Sequence, residues 1–528
     1  MLLVPFKFDI GKYNMKFYTS FFRNGNKVHV RGYNGNRQFF DFFTLEPAHY
    51  IIDSDEYTPT LHTSFYGDKL QKVQFDSAWD AHKFCKENKD IDIFGYPNYE
   101  YSRINEEFKD QEYDTSLLRT AVIDIETLVG NDQDGNPEVY DAFPNILDPQ
   151  HSISLITTLI GKNLYCYGLD YHIDEASILK QVKDNLPKDF DFNSINFEFK
   201  QYANDTLLLA DFITLIQIQK PDIITGWNSN GFDIPYICKR IENLYGEKAV
   251  NRLSPFKMVD SKMVNKNFGK QGLDYSIKGI ELLDYLELYK KFELSPRENY
   301  KLETIAQIEL GMGKLDYEGS FQNFYKTDWS KFVAYNIIDV LLVSELDKKL
   351  AFIEIAAGMA YSSMSVFTDV FRVTRIWDNI IANYCALSNI QVPTDYSNER
   401  SAYQGAYVKP TIPGKYGIVA AFDVGSLYPS LIVENNISPE RILPEHEFIP
   451  ISPQDIIDMT DRYTDAFNNA VSLNATLSAN GALFDKSVQG IIPQLVEIYM
   501  MKRKTAKKSM ANWGTKLEYA KARLQSLT

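Results

Sequence analysis

Carboxylates and one tyrosine stand in three short stretches of the sequence, at spacings suited to metal chemistry. In AVIDIET, Asp124 and Glu126 are two residues apart in a predicted strand, so both side chains leave the same face. In NSNGFDIPY, Asp233 opens a helix-like run, and in YNIIDV, Tyr335 and Asp339 are one helical turn apart. An isolated D-x-E pattern more often marks the solvent-exposed face of a half-buried strand, but the three stretches together indicate a metal-binding site.

These acids offer oxygen ligands only, and such ligand sets select hard cations such as Mg²⁺ or Mn²⁺. Clustered carboxylates repel one another unless cations hold them. Two ions about 4 Å apart activate a water, stabilise the phosphorus centre as charge develops and neutralise the leaving oxygen. The pattern therefore predicts phosphodiester hydrolysis, with the Tyr335 hydroxyl orienting the attacking water.

A further carboxylate, Asp423, stands in FDVGSLYPS directly after the apolar run 418–422. The run predicts a buried strand, and the pair Gly425-Ser426 predicts a turn after it. The alternative for this segment is a strand-to-helix turn in which the aspartate only caps a helix. A carboxylate at the end of a hydrophobic strand needs a second charged group before it can act on a phosphate.

The last stretch of the sequence is basic, although the whole chain has a formal net charge of −15. Residues 500–528 hold eight lysines and arginines and a single glutamate. Arg503 and Lys507 lie at i and i+4, so one helix face presents two cations at phosphate spacing, unless this is a solvated basic face. The acidity of the rest of the chain argues against a general nucleic-acid coat protein.

The hydrophobic pattern predicts the elements that position these residues. Residues 15–118 alternate short apolar runs with turn clusters, a pattern of hairpins with a few helices. From 119 to about 352, strand-like and helix-like runs alternate, which predicts an α/β layer structure. A helical stretch to about 394 precedes another sheet-containing unit, and residues 490–528 are predicted to be almost wholly helical.

At 528 residues the chain is too long for one hydrophobic core and is expected to form about three to five domains. The most membrane-like stretch, 351–371, carries Glu354 and Asp369, which predicts a core helix and no membrane association. Polar residues interrupt the apolar start of the chain, so no export signal is predicted. Four cysteines without CxxC spacing suit a reducing compartment.

The three acidic stretches, in this order and spacing, resemble the exonuclease motifs of family B DNA polymerases. Two segments are similar in sequence to the replicative polymerases of T-even-type bacteriophages, namely TGWNSNGFDIPYICKRIENLYGE and LDYLELYKKF. The resemblance implies a multidomain α/β and α+β fold with a ribonuclease H-like 3'-5' exonuclease domain. The implied domains are an N-terminal mixed domain (1–118), the exonuclease (119–352), a helical return to the N-terminal domain (353–394), a partial palm (395–487) and the first helix of the fingers (488–528).

By this resemblance, the exonuclease site has Asp124, Glu126, Asp233 and Asp339 as ligands of two Mg²⁺ ions, with Mn²⁺ as an alternative. Tyr335 would orient the attacking water. The segment 267–279 is similar in place to the hairpin that helps to part primer from template in this family, although a plain surface hairpin fits as well.

FDVGSLYPS resembles the first polymerase motif of the same family. The resemblance implies that Asp423 and the Val424 carbonyl bind metal ions in the palm. Ser426 and Leu427 would meet the triphosphate of the incoming nucleotide. Tyr428 would stack under the sugar and reject a ribose by its bulk.

Two further segments extend the resemblance. Arg503 and Lys507 are similar in place to the cations of the fingers helix that grips the incoming triphosphate, where fixed positive charge stabilises the phosphates during transfer. YQGAYV, with Tyr403, Gly405 and Ala406, resembles the linker between nuclease and palm. Gly425 departs from the pattern, because close relatives carry a bulkier residue there.

The family supplies its second palm carboxylate from a later DTDS-type hairpin, and no such motif follows Asp423 in this sequence. An apolar seam at spacings of 3 and 4 also predicts a helix that packs against another helix. The seam consists of Met510, Trp513, Leu517, Ala520, Leu524 and Leu527. We therefore expect a second polypeptide to supply the returning helix, the rest of the palm, the thumb and the contact with the sliding clamp.

The resulting hypothesis is the N-terminal subunit of a split DNA-directed DNA polymerase that carries the proofreading exonuclease and half of the polymerase site. Its substrates would be primer–template DNA and deoxynucleoside triphosphates, and by resemblance to phage proteins it would work in the host cytoplasm. Two alternatives stay open. One is a stand-alone 3'-5' exonuclease, and the other is a non-catalytic DNA-binding scaffold or an artificially truncated chain.

Overall fold

The computed structural model describes residues 15–53, 60–128, 144–170, 173–187, 190–265, 271–313, 315, 324–325, 327–394 and 410–525. Contacts between residues divide the chain into two compact units. Unit 1 comprises Met1–Pro47, Gln74–His82 and Pro97–Asn383, and unit 2 comprises Ala48–Val73, Lys83–Tyr96 and Tyr384–Thr528. The five-domain division is finer than these two units and stays a prediction.

Unit 1 is a mixed α/β structure. Its strands are β1 (Lys16–Asn24), β2 (Lys27–Asn34), β3 (Arg37–Thr44), β8 (Thr120–Thr127), β9 (Ile153–Ile160), β10 (Asn163–Leu169), β11 (Asn196–Tyr202), β12 (Ile223–Thr225), β13 (Val259–Asn265), β14 (Gln271–Ile277) and β15 (Glu281–Leu282). Its helices are α2 (Tyr99–Phe108), α3 (Glu175–Asn185), α4 (Asp205–Gln219), α5 (Asp233–Tyr245), α6 (Tyr285–Phe292), α7 (Leu302–Leu310), α8 (Trp329–Leu350) and α9 (Phe352–Ser363).

A six-stranded mixed sheet with the order β11-β10-β9-β8-β12-β15 forms the centre of unit 1. β9 pairs antiparallel with β8 and β10, whereas β12 runs parallel to β8. Every residue of β9 is buried, as expected of a strand covered on both faces. Helix α8 lies against β8 and β9, and the Asp328 carboxylate caps its start by accepting from the Lys331 N–H. The α/β layer predicted from the sequence is confirmed.

The three-stranded sheet β1-β2-β3 is held to the central sheet by a buried ion pair. The Arg31 guanidinium lies 3.0 Å from the Asp222 carboxylate, and neither side chain is exposed to solvent. Arg31 also donates to the carbonyls of Pro221 and Gly279, while Asp222 accepts from the Tyr33 hydroxyl. A charge pair buried at this depth needs these additional hydrogen bonds to offset its desolvation.

Within the apolar stretch 351–371, helix α9 is followed by a 3-10 turn at Phe367–Phe371. Phe352, Ala356 and Ala360 are buried, so the predicted core helix is confirmed over its first part. Among the described residues, no helix is both long enough and apolar enough to cross a membrane.

Unit 2 contains a five-stranded sheet with strands β4 (Ala48–Ile52), β5 (His62–Ser64), β6 (Lys69–Gln74), β7 (Ile93–Phe94) and β16 (Ile390–Gln391), in the order β16-β5-β6-β4-β7. The chain passes between the units at 47/48, 73/74 and 96/97, and also within α1 (Ala78–Glu87) and α10 (Val373–Ala386). Unit 2 continues with α11 (Leu427–Glu434), α12 (Pro453–Ile457), α13 (Asp461–Ser472), the strand pair β17 (Ala475–Leu477) and β18 (Leu483–Asp485), and α14 (Ile491–Gln525). The helical end predicted for residues 490–528 is confirmed over Ile491–Gln525, the bounds of α14.

The prediction of a buried strand before Asp423 is wrong. Residues 410–424 form neither strand nor helix. Ile418 is 96% exposed, Val419 77% and Phe422 94%. A strand exists only where a neighbour completes its ladder, and within the described part of the chain no strand pairs with this segment.

Candidate functional site

Asp124 and Glu126 lie on one face of β8, as the two-residue period predicts. Both side chains are half-buried, whereas Ile123 and Ile125 point the other way into the hydrophobic core. The strand thus presents two carboxylates side by side on a rigid support at the centre of the sheet.

Asp233 is the first residue of α5 and reaches back to β8. Its Oδ1 accepts a hydrogen bond of 3.0 Å from the backbone N–H of Ile125, the residue between Asp124 and Glu126. The turn that leads to α5 passes close to the strand, because a Cβ at Gly226 would lie only 2.4 Å from the Ile123 carbonyl oxygen. A glycine is therefore required at that position for Asp233 to reach the strand.

Asp284 fixes the loop between β12 and α5. Its two carboxylate oxygens accept from the backbone N–H groups of Asn228, Asn230 and Leu286 at 2.9–3.1 Å. The side chain is 1% exposed, so these bonds are shielded from water. No local sequence pattern predicts this role, because Asn228 and Asn230 lie 56 and 54 positions away from Asp284.

Helix α8 brings the third acidic stretch to the same strand. The Asn336 amide donates to Asp124 Oδ2 at 2.6 Å, although the two residues are 212 positions apart. Asp339 is buried on the same helix, and Tyr335 is half-buried with its ring centroid 6.2 Å from that of Phe324. Asn336 was missed by sequence reasoning, since an amide inside a helix carries no signal of its own.

Burial and neighbouring charge disfavour the ionised form of Asp233. Burial raises its pKa, the Ile125 N–H opposes that rise, and the negative charges of Asp284 and Asp339 add to it. Burial likewise raises the pKa of Asp284 to about 6, with the Glu287 charge as the next cause. Buried carboxylates that raise one another's pKa in this way are typical of a functional site, where a bound cation would stabilise their ionised forms.

The donor set fits Mg²⁺ or Mn²⁺, because the predicted ligands Asp124, Glu126, Asp233 and Asp339 are all carboxylates. In the described part of the chain, no three His, Cys, Asp or Glu side chains already converge as a metal site. One Asp124 oxygen instead accepts from Asn336, and one Asp233 oxygen accepts from Ile125. Which residues ligate therefore stays a prediction.

In unit 2, the predicted nucleotide-binding residues lie on two helices that pack together, α11 and α14. The Arg503 guanidinium donates to the Ser426 hydroxyl at 3.4 Å, although they are 77 positions apart. Ser426 is the N-cap residue of α11 and has a positive φ of 57°, and Tyr428 on that helix is 74% exposed. The described structure thus brings a cation and a hydroxyl from two separate motifs to one place.

The other predicted residues of this second site are exposed: Asp423, Val424, Leu427 and Lys507. Tyr403, Gly405 and Ala406 lie outside the described residues. In unit 1, the segment 267–279 predicted as a hairpin contains β14, which pairs antiparallel with β13, whereas its residues 267–270 lie outside the described part of the chain. The hairpin strands border a groove of about 950 Å³ whose lining also includes Asn228, Asn230 and Asp284.

Two family models match adjoining parts of the chain. "DNA polymerase family B, exonuclease domain" matches residues 97–305, and "DNA polymerase family B" matches residues 362–524. The chain belongs to DNA polymerase family B. The first match contains Asp124, Glu126 and Asp233, and the second contains the Ser426–Arg503 contact.

Individual relatives within family B agree with this assignment. The "DNA-directed DNA polymerase" of Escherichia phage RB69 is 31% identical over 464 residues, which cover 85% of this chain and 49% of the relative. That of Enterobacteria phage T4 is 30% identical over 479 residues, covering 86% and 51%. The "DNA polymerase catalytic subunit" of Saimiriine herpesvirus 2 (strain 11) is 30% identical over 48% of this chain and 26% of the relative. The chain spans about half the length of the two phage relatives.

In this family B chain, a buried asparagine joins the segment after α11 to the start of α14. The Asn436 amide donates to the carbonyls of Asp485 and Val488, and its Oδ1 accepts from the Gly490 N–H. The Glu440 carboxylate accepts from the Ile491 N–H at 2.6 Å, which satisfies a backbone donor at the beginning of α14. These bonds fix the helix that carries Arg503 relative to the segment that carries Ser426.

Proposed function

We propose that this chain carries the 3'-5' proofreading exonuclease of a DNA-directed DNA polymerase together with half of its nucleotide-addition site. The observation that carries the proposal is the meeting of three separate acidic motifs on β8, through the Ile125–Asp233 and Asp124–Asn336 hydrogen bonds. The family assignment supports the substrate class, DNA strands and deoxynucleoside triphosphates.

For the exonuclease, Asp124, Glu126, Asp233 and Asp339 would hold two Mg²⁺ or Mn²⁺ ions. Bound there, the ions supply an activated water and neutralise charge on the phosphate and the leaving oxygen. The chain's own residues do the positioning. Tyr335 orients the attacking water through its hydroxyl, while β8 holds Asp124 and Glu126 half-buried on one face, where a water can still reach them.

For nucleotide addition, Asp423 and the Val424 carbonyl would hold metal ions beneath the incoming nucleotide. Ser426, Leu427, Arg503 and Lys507 would meet its triphosphate, and Tyr428 would contact the sugar. The 3.4 Å contact between Arg503 and Ser426 supports this arrangement, because a phosphate between the two segments would find a cation and a hydroxyl donor.

We infer that further polypeptide completes this second site, as a separate C-terminal polymerase chain that also bears the thumb and the contact with the sliding clamp. Two exposed apolar surfaces support the inference. Ile418, Val419 and Phe422 are exposed before Asp423, and Met510, Trp513 and Leu517 are exposed on α14. Exposed apolar area on this scale is typical of a surface that another protein segment covers. The same proposal places this chain in the cytoplasm of a phage-infected host cell.

Primer extension and mismatch removal test the two halves separately. With a 3'-mismatched primer–template and Mg²⁺, we expect the chain alone to remove the mismatch, and a complementing C-terminal chain to add extension. In the complemented protein, Asp423→Ala should abolish extension and keep excision, whereas Asp124→Ala should do the reverse. Extension by the purified chain alone would contradict the inferred partner, and its absence after complementation would leave the stand-alone exonuclease as the better account.

A further inference from the structure

Aromatic rings form a continuous surface on one face of the β1-β2-β3 sheet in unit 1. The strand register places Phe22 opposite His29 and His29 opposite Phe42, so the three rings form a row across the strands. Phe22 stacks on His29 at 5.1 Å between centroids, and Phe256 lies 5.1 Å from Phe22 and 5.5 Å from Phe40. We call these five residues the aromatic surface.

Two rings of this surface are open to solvent. Phe40 is 42% exposed and Phe42 is 49% exposed, both on β3. Within the described residues β3 pairs only with β2, so it is an edge strand. Packing of unit 1 leaves these two rings available, and exposed rings on an open strand are an aggregation hazard unless they serve a purpose.

Lysines surround the aromatic surface. Lys27 Nζ lies 4.0 Å from the Phe42 centroid, Lys220 Nζ lies 5.8 Å from that of Phe40, and Lys278 Nζ lies 5.7 Å from that of Phe22. Lys278 also pairs with Asp260 at 2.9 Å. Cations over ring faces are favourable in themselves, and they keep positive charge at the edge of the surface.

A cavity of about 320 Å³ opens beside Phe40. Its walls combine apolar side chains, among them Ile216, Leu253 and Pro255, with Lys220 and Lys257. None of the described residues that line it is acidic. In a chain with a net charge of −15, this is a local environment that favours an anion with an apolar part.

We propose that the aromatic surface binds single-stranded DNA. Bases stack on Phe40 and Phe42, one nucleotide enters the cavity, and its phosphates meet Lys27, Lys220 and Lys257. Exposed rings with flexible lysine side chains close by suit a polynucleotide, because every base has a π-face and every linkage a negative charge. The proposal rests on the proposed function, since that function brings DNA strands to unit 1, and charge complementarity favours this occupant over a second protein.

Equilibrium binding tests the proposal. The full chain in EDTA, where it cannot degrade the probe, is titrated with 5'-fluorescein-labelled (dT)12 at several salt concentrations. We expect the Phe40→Ala/Phe42→Ala double variant to bind roughly tenfold more weakly or worse. The double variant Lys220→Gln/Lys257→Gln should make the fall of log affinity with log salt concentration less steep, by about one unit of slope. The ring-preserving Phe40→Tyr/Phe42→Tyr variant and the exposed control Lys180→Gln should bind like wild type.

Photocrosslinking locates the contact independently of other DNA-binding surfaces. With a central 5-iododeoxyuridine in the probe, mass spectrometry should find the crosslink in the peptide that contains Arg37–Thr44. Crosslinks only elsewhere, together with wild-type affinity of the Phe→Ala variant, would overturn the proposal. So would tighter binding of (rU)12 than of (dT)12, or loss of self-association in sedimentation without loss of DNA binding. Loss of nuclease function in a parallel assay would not affect these readouts, so the two failures are distinguishable.

Discussion

The backbone N–H of Ile125 donates a 3.0 Å hydrogen bond to Asp233 Oδ1, joining two residues 108 positions apart. The bond sets the Asp233 carboxylate against the strand at the point where Asp124 and Glu126 leave it. Burial opposes ionisation of Asp233, and the N–H favours it. The site is therefore assembled by backbone geometry as well as by its acids.

Asn336 is expected to act as a positioning residue, because its amide orients Asp124 at 2.6 Å. Removing such an outer partner typically costs about 10–100-fold in metal affinity or activity. We expect Asn336→Ala to raise the Mg²⁺ concentration that gives half-maximal exonuclease rate by a factor in that range. Asn383→Ala removes a helical asparagine that donates to the Ser363 carbonyl and serves as the matched control. An unchanged Mg²⁺ dependence in Asn336→Ala would contradict this role.

Asp284 should make the stability of unit 1 pH-dependent. Its folded pKa is raised to about 6, whereas an unfolded aspartate titrates near about 3.9. The folded chain thus keeps a proton that the unfolded chain has lost, and the free energy of unfolding falls as pH rises through this window, by about 3 kcal/mol.

Asp284→Asn cannot titrate, so the stability advantage of wild type over this variant should shrink between about pH 4 and pH 6.5. Urea unfolding at a series of pH values measures the difference. Asp233 titrates in both proteins, and because the Asp284 charge is one of the smaller causes of its raised pKa, its contribution changes less between them than that of Asp284. A difference that is constant across the series would show that the Asp284 pKa is not raised.

The buried pair of Arg31 and Asp222 should be far more sensitive to truncation than surface pairs. Arg31→Met removes the cation that pairs with Asp222 and the donor to three backbone carbonyls, those of Lys220, Pro221 and Gly279, at an expected cost of about 3–5 kcal/mol. Lys83→Ala breaks an exposed pair with Glu87 and should cost less than about 1 kcal/mol. Chemical unfolding compares the two variants, and equal costs would contradict the structural role given to Arg31.

Arg503 is expected to bind the triphosphate of an incoming nucleotide. Loss of a charged hydrogen-bond donor costs roughly 1.5–3 kcal/mol, so Arg503→Ala should weaken deoxynucleoside triphosphate binding about 10- to 100-fold. Arg503→Lys should retain part of the affinity. Lys521→Ala on the same helix pairs only with Glu518 in the described contacts and is the control. Equal losses in Arg503→Ala and Lys521→Ala would indicate a non-specific charge effect.

Much of the geometry of the candidate site could be predicted because its parts obey local periods. The two-residue period of a strand puts Asp124 and Glu126 on one face, and the helical period puts Tyr335 and Asp339 on one side of α8. The order of the strands, by contrast, depends on pairings between distant segments. Asp284 and Asn336 act through contacts with residues far away in sequence, and no local pattern signals such contacts.

The segment before Asp423 shows the opposite case. Its apolar run is what a buried strand looks like, but burial depends on a neighbour, and Ile418 and Phe422 are exposed. Hydrophobic pattern reports what a segment would gain from being covered. It does not report whether the covering element is present.

The most direct test of the exonuclease assignment is the fate of 5'-labelled single-stranded DNA at single-nucleotide resolution. With Mg²⁺ the wild-type chain should shorten the strand stepwise from its 3' end, and EDTA should stop the reaction. Asp124→Ala and Asp233→Ala should be slower by at least about a hundredfold, while Asp110→Ala, an exposed acid outside the site, should match wild type. Shortening by Asp124→Ala at the wild-type rate would contradict the account.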